Sequence, residues 1–199
     1  MLSTTIAKVV ARSLMKEQLS FHTMISHTMK VGMTSPKTRM MMNSYFDICW
    51  VVMGMIFNPT QSKQDLGWEK IVAKSIPSRM QQCLKVASSA EKMGVDPHLM
   101  IAIAYYESKF ETGLTSSAGA KGVMQVKKQF FDCKDCSEIE YGIKAFQVWL
   151  DVSQGDTCLA LGRYAVGNKG KCGKRSKAVL KLASELACLA SKEDDCYDC

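Results

Sequence analysis

The residue in this chain best placed to do chemistry is Glu107. It lies in the stretch Asp96–Val126, where Asp96 suits a helix N-cap and Pro97 a first helical position, since proline lacks the N–H that would go unpaired there. Met100, Ile103, Ala104 and Glu107 then recur at helical i, i+3, i+4, i+7 spacing. The face that buries Met100 and Ile103 therefore also carries a carboxylate near the helix end. A carboxylate on an apolar face is costly to ionise, so its pKa is expected to rise toward neutrality, the state a general acid needs. The plainer alternative is a glutamate at the edge of a core, reaching solvent past the last turn. Downstream, Ser116, Ser117, Gly119 and Gly122 form a loop of small residues that a ligand can approach closely. Gly122-Val123-Met124-Gln125 adds an apolar wall, Met124, beside the amide of Gln125. An acid at a helix end facing such a loop suits binding and cleaving a hydroxyl-rich polymer.

The elements that must position these residues read as helices. A helical pattern begins at Trp68, and Arg79–Met93 looks like the helix preceding the one that bears Glu107. Asp132–Glu140 reads as a polar, cysteine-bearing loop. Glu138–Val152 is amphipathic, with Ile139, Ile143, Phe146 and Leu150 three or four residues apart. Another helix begins within Asp156–Tyr164, and Ser176–Leu189 closes the fold. Strand signals are scarce, so the domain is expected to be mainly α.

Glu107-Ser108, followed by Ala118-Gly119-Ala120-Lys121-Gly122-Val123-Met124-Gln125, resembles the soluble lytic transglycosylase (SLT) family, which shares the lysozyme-like fold of goose-type lysozyme. The likeness runs from about Arg79 to about Leu182, and Gly142 fits the glycine that family members carry near the start of the corresponding helix. The resemblance implies a helical domain with a substrate cleft. It also implies cleavage of the β-1,4 bond between N-acetylmuramic acid and N-acetylglucosamine in peptidoglycan. Glu107 would protonate the leaving oxygen and then take the proton of the muramyl C6 hydroxyl, closing a 1,6-anhydro ring. Ser108 would hydrogen-bond near Glu107 or the substrate, Tyr164 would lie close to Glu107 and help hold it or the substrate, and Gly122, Met124 and Gln125 would bind substrate or line the cleft. Arg163-Tyr164-Ala165-Val166-Gly167 stands where the family has Tyr-Asn-Ala-Gly, so the tyrosine and glycine are kept while Ala165 replaces the asparagine. No metal or organic cofactor is implied. A lysozyme-type hydrolase is the nearest rival and would need a second carboxylate to orient water, with Glu111, Asp132, Asp135 and Asp151 as candidates. A catalytically silent wall-binding component of a phage particle or secretion apparatus is a rival of another class.

Composition bounds these readings. A chain of 199 residues that is 47% hydrophobic can bury one ordinary core. Its +7 net charge suits a polyanionic partner such as peptidoglycan with its acidic peptides and attached polymers. No zinc-finger spacing, RNP-like aromatic motif or basic repeat points to nucleic acid. Eight of the nine cysteines, Cys83, Cys133, Cys136, Cys158, Cys172, Cys188, Cys196 and Cys199, lie downstream, enough for four disulfides and an oxidising compartment. Their pairing is open, and Cys49 stands apart in an apolar run. A metal held by the pairs Cys133/Cys136 and Cys196/Cys199 is disfavoured, because the pairs lie far apart and no histidine accompanies them.

Residues 1–62 are expected to form a basic, Met-rich segment and 63–199 the lysozyme-like domain with a cysteine-rich tail. Residues 1–44 have the composition of a targeting segment or of translated upstream sequence. Ile48–Phe57, ten residues long, is too short to span a bilayer, which takes about twenty. It resembles the middle of a secretory signal, with a buried helix as the alternative. Export to the periplasm or cell envelope, or incorporation in a phage virion, would bring peptidoglycan strands within reach. Components of a secretion apparatus or virion are then expected partners, and nucleic acid is not.

Overall fold

The structure is a computed structural model, and it describes residues 36–56, 68–127, 133 and 135–191. Those residues form six helices: α1 (Pro36–Ile56), α2 (Trp68–Lys92), α3 (Pro97–Ser108), α4 (Glu138–Val152), α5 (Thr157–Val166) and α6 (Lys174–Ser191). Pairing of extended chain among the described residues is limited to the single bridges Thr115–Lys121 and Lys121–Val126. The domain is mainly α, as the periodicities indicate.

The centre of the fold is α3. Asp96 caps it by accepting from the His98 amide at 2.9 Å, and Pro97 follows at the first helical position. The sequence pattern suggests one apolar face, but Leu99, Met100, Ile101, Ala102, Ile103 and Ala104 are all buried. A helix that is apolar all round must be enclosed, and here α2 and α6 pack against it. Beyond Ser108 the chain cannot continue as helix. Lys109 and Phe110 both take left-handed φ, 52° and 61°, and the turn drives the Phe110 ring into the core. Burial of a whole aromatic side chain offsets the strain of that backbone.

A capping box starts α4. The Ser137 hydroxyl accepts from the Glu140 amide at 3.3 Å, and the Glu140 carboxylate accepts from the Ser137 amide at 3.0 Å. The buried residues Ile139, Ile143 and Phe146 face the core, and α4 packs on α2 and α5. Asp156 caps α5 through the Leu159 amide at 2.9 Å. The chain then returns through a glycine-rich turn into α6.

Two expectations shift. The compact unit runs Asn43–Cys199, so its boundary lies upstream of residue 62. Ile48, Cys49, Val52 and Met53 of α1 are buried, and Cys49 is disulfide-bonded to Cys83 of α2. The apolar run therefore packs as part of the domain through Ile56, while Phe57 and residues 1–35 lie outside the described residues. Cys49 consequently does not stand apart. Cys133 pairs with Cys136 and Cys158 with Cys172; Cys188 is also disulfide-bonded, to a partner outside the described residues. No helix among the described residues is long and apolar enough to cross a membrane.

Gly142 explains how α4 approaches the loop that follows α3. A Cβ there would overlap the Cβ and Cγ of the fully buried Met124. The obstructing atoms sit at the root of the side chain, so they cannot swing aside. Gly142→Ala should destabilise the domain by about 1–3 kcal/mol, as overpacking does, and a lowered denaturation midpoint with an unchanged m-value would show it.

Candidate active site

Glu107 sits in the last turn of α3, its side chain 15% exposed. It lines a cleft of about 480 Å³ whose other walls include Ser116, Ala120, Gln125 and Val126 from the small-residue loop, Trp149 from α4 and Arg163, Tyr164 and Ala165 from α5. Among the described residues lining this cleft, Glu107 is the one carboxylate. A small void of about 20 Å³ lies behind it, walled by Ile103, Leu161, Tyr164, Arg175 and Val179.

The electrostatics of Glu107 are a contest. Burial raises its pKa, and the nearby charge of Arg175 together with its hydrogen bond lowers it. The Arg175 Nη2 is 2.7 Å from the Glu107 Oε1 and 3.0 Å from the Tyr106 carbonyl oxygen. Arg175 is half exposed, and water screens its charge. Burial wins, and the carboxyl is held above its ordinary value of 4.5. Burial also pushes the Tyr164 hydroxyl well above its ordinary range, with the Glu107 charge adding to the effect.

The loop is held against the helix end by hydrogen bonds to its backbone. The Ser108 hydroxyl is buried and donates to the Val123 carbonyl at 2.7 Å. Glu138, the first residue of α4, accepts from the Val123 amide at 2.9 Å. Its carboxylate fills the space where a Cβ on Gly122 would stand, and Gly122 itself has a left-handed φ of 70°. The Tyr164 hydroxyl donates to the Met124 carbonyl at 2.7 Å, and its ring packs edge-on against Phe146 at 6.2 Å. The Gln125 Nε2 donates to the carbonyls of Gly122 at 2.8 Å and Leu114 at 3.0 Å, leaving its oxygen for a ligand. Ser116 closes the far turn, its hydroxyl accepting from the Ala120 amide at 3.0 Å.

The sequence-predicted residues therefore divide. Glu107, Gln125 and Tyr164 line the cleft, although Tyr164 bonds to the loop backbone and not to Glu107. Ser108, Gly122 and Met124 are buried and do not line it. The side chains of Ser108 and Met124 and the backbone of Gly122 build the frame that presents the loop. Ala165 lines the cleft at the asparagine position, leaving that wall without an amide. Arg175, Glu138 and Trp149 were missed. Glu138 carried a weak signal as an acid in the first turn of a helix, and nothing local to Arg175 marks it as the partner of Glu107.

A helical domain that holds one shielded acid in a cleft walled by a glycine-punctuated loop has the architecture of lysozyme-like, glycan-cleaving domains. Residues 85–179, just under half of the chain, match the Transglycosylase SLT domain family. The domain is of the peptidoglycan-cleaving transglycosylase kind. No curated protein and no solved structure matches the chain.

Two measurements test the electrostatics. Arg175→Gln removes the cation facing Glu107 from α6 and leaves Tyr164 of α5, so the Glu107 carboxyl should titrate at higher pH than in the parent by carbon-detected NMR. A carboxyl whose pKa is raised on folding contributes stability below its ordinary pKa and loses it as pH climbs through the raised value. Glu107→Gln should therefore be at least as stable as the parent at pH 7. That advantage should vanish as pH falls below about 4.5 in paired thermal melts.

Proposed function

We propose that this protein is a lytic transglycosylase that cuts the β-1,4 bond between N-acetylmuramic acid and N-acetylglucosamine and leaves 1,6-anhydro-N-acetylmuramic acid. The observation that carries this reading is that Glu107 is the one carboxylate among the described residues lining the cleft. Ordinary glycosidases work with two carboxyl groups flanking the scissile bond. Of the described carboxylates a hydrolase could use, Glu111 is paired with Arg79 at 2.8 Å, Asp151 faces a different groove and Asp135 is exposed outside the cleft. Asp132 is outside the described residues.

In this scheme Glu107 begins protonated, as its burial favours. Its proton passes to the glycosidic oxygen while the bond from that oxygen to the muramyl anomeric carbon breaks, and the N-acetylglucosamine 4-hydroxyl departs. The carboxylate left behind then takes the proton of the muramyl C6 hydroxyl, whose oxygen attacks the anomeric carbon and closes the ring. The acid is regenerated and no water is consumed. Arg175 suits the middle of this cycle, because its cation faces the carboxylate formed there. Trp149 offers an apolar face to a pyranose ring and Gln125 an acceptor to its hydroxyl or acetamido groups.

Export follows as part of the proposal. Disulfides persist in oxidising compartments, and the pairs Cys49–Cys83 and Cys158–Cys172 clamp the domain. The reading places the protein in the periplasm, cell envelope or a phage virion, opening the wall locally for phage passage or for a secretion or conjugation apparatus.

Mass spectrometry of fragments released from purified peptidoglycan tests the chemistry. Products ending in 1,6-anhydro-N-acetylmuramic acid are expected, and Glu107→Gln should lower their rate by about 10²-fold or more, the contribution of a lost general acid. Reducing ends would establish a hydrolase, and a folded but inactive parent would leave a wall-binding component.

A further inference from the structure

The turn between α5 and α6 leaves the cleft at Gly167 and runs to Arg175, which is ion-paired with the cleft residue Glu107. Across residues 157–184 the chain carries seven lysines and arginines and no aspartate or glutamate. Three of the seven are engaged. Arg163 donates to the Val152 carbonyl and the Ser153 hydroxyl, Arg175 holds Glu107, and Lys181 lies 3.8 Å from Glu185. Lys169, Lys171, Lys174 and Lys177 are exposed and lie within ion-pair distance of no carboxylate among the described residues.

Two features separate this cluster from an ordinary solvated face. First, the turn is clamped. The Cys158–Cys172 disulfide ties it to α5, and the backbones of Gly162 and Gly170 meet so closely that a Cβ on either would overlap the opposite main chain. Like charges on a loose loop would spread apart, and the clamp denies them that relief. Second, Lys174 and Lys177 occupy the first turn of α6, which holds no acidic residue. A helix N-terminus is already positive and favours anions, so these cations are set against the fold's own preference. An incoming anion would relieve both costs.

We propose that Lys169, Lys171, Lys174 and Lys177 form a docking surface for the repeated anionic groups, carboxylate or phosphodiester, borne along a wall glycan polymer, and that it guides the strand toward Glu107. The proposal rests on the peptidoglycan reading above. Continuity with the cleft favours a glycan over other polyanions. No aromatic residue lies between 165 and 191 to stack on the bases of a nucleic acid.

The test is co-sedimentation with purified cell walls at graded ionic strength, using the Glu107→Gln protein so that binding is read without turnover. Replacing the four lysines with glutamine should weaken binding at low salt by about tenfold or more and flatten its salt dependence, as expected when a charged patch that concentrates a polyanion is removed. The melting temperature should hold or rise, because the four side chains are exposed and neutralising them removes their mutual repulsion. Walls stripped of phosphodiester polymers and walls freed of stem peptides identify which anion is read. Loss of binding on either treatment supports the proposal. It is overturned if the glutamine variant binds as its parent does, if walls lacking both kinds of anion bind equally well, or if duplex DNA or anionic vesicles are bound more tightly than wall. Cleavage by the parent enzyme is scored separately, so an absence of anhydro products removes the transglycosylase reading without deciding this one.

Discussion

The structure depends on keeping one carboxyl group largely out of water while leaving it able to meet a ligand. Two opposed terms act on Glu107: burial, which favours the neutral acid, and Arg175 at 2.7 Å, which favours the anion. An acid that must give up a proton and take it back benefits from both, since neither state is then far out of reach. The balance holds only if the two groups keep their separation. That requires α3 and α6 to be packed as one body, and their contact is the most extensive in the fold.

The frame around the acid is built largely from main-chain hydrogen bonds. Ser108 and Glu138 hold the carbonyl and the amide of Val123, and Tyr164 holds the carbonyl of Met124. Each joins a different helix to the same short loop, so α3, α4 and α5 fix its position jointly. A loop secured through its backbone tolerates exchange of the side chains it shows to the cleft. Ala165 lies outside that grip, on the cleft wall. An asparagine there would have contributed one neutral hydrogen bond, worth about 0.5–1.5 kcal/mol, and its absence leaves the frame intact.

How much of this was legible in the sequence follows from the range of each interaction. The Asp96 cap, Pro97 and the bounds of α4 are local, and the pattern placed them closely. The Glu107 and Gly119–Gln125 motifs identified the family, but a motif says which residues gather and not which way they face. Ser108, Gly122 and Met124 accordingly read as cleft residues, while Gly122 and the side chains of Ser108 and Met124 are buried in the packing beneath. Arg175 and Cys49 were opaque for a different reason. Their partners, Glu107 and Cys83, are distant in the chain, and only tertiary packing brings them together.

The glycine contact between Gly162 and Gly170 draws these strands together. It brings the α5–α6 turn onto α5 at the point where Arg163 and Tyr164 project, and from there the chain has only a short path to Arg175. A side chain at either glycine would lift the turn and carry Arg175 with it, loosening the ion pair from the far side of the domain. The same close approach fixes the lysines along that turn. The part of the chain that tunes the acid is thus also the part that faces a polyanion, and one clamp sets the geometry of both.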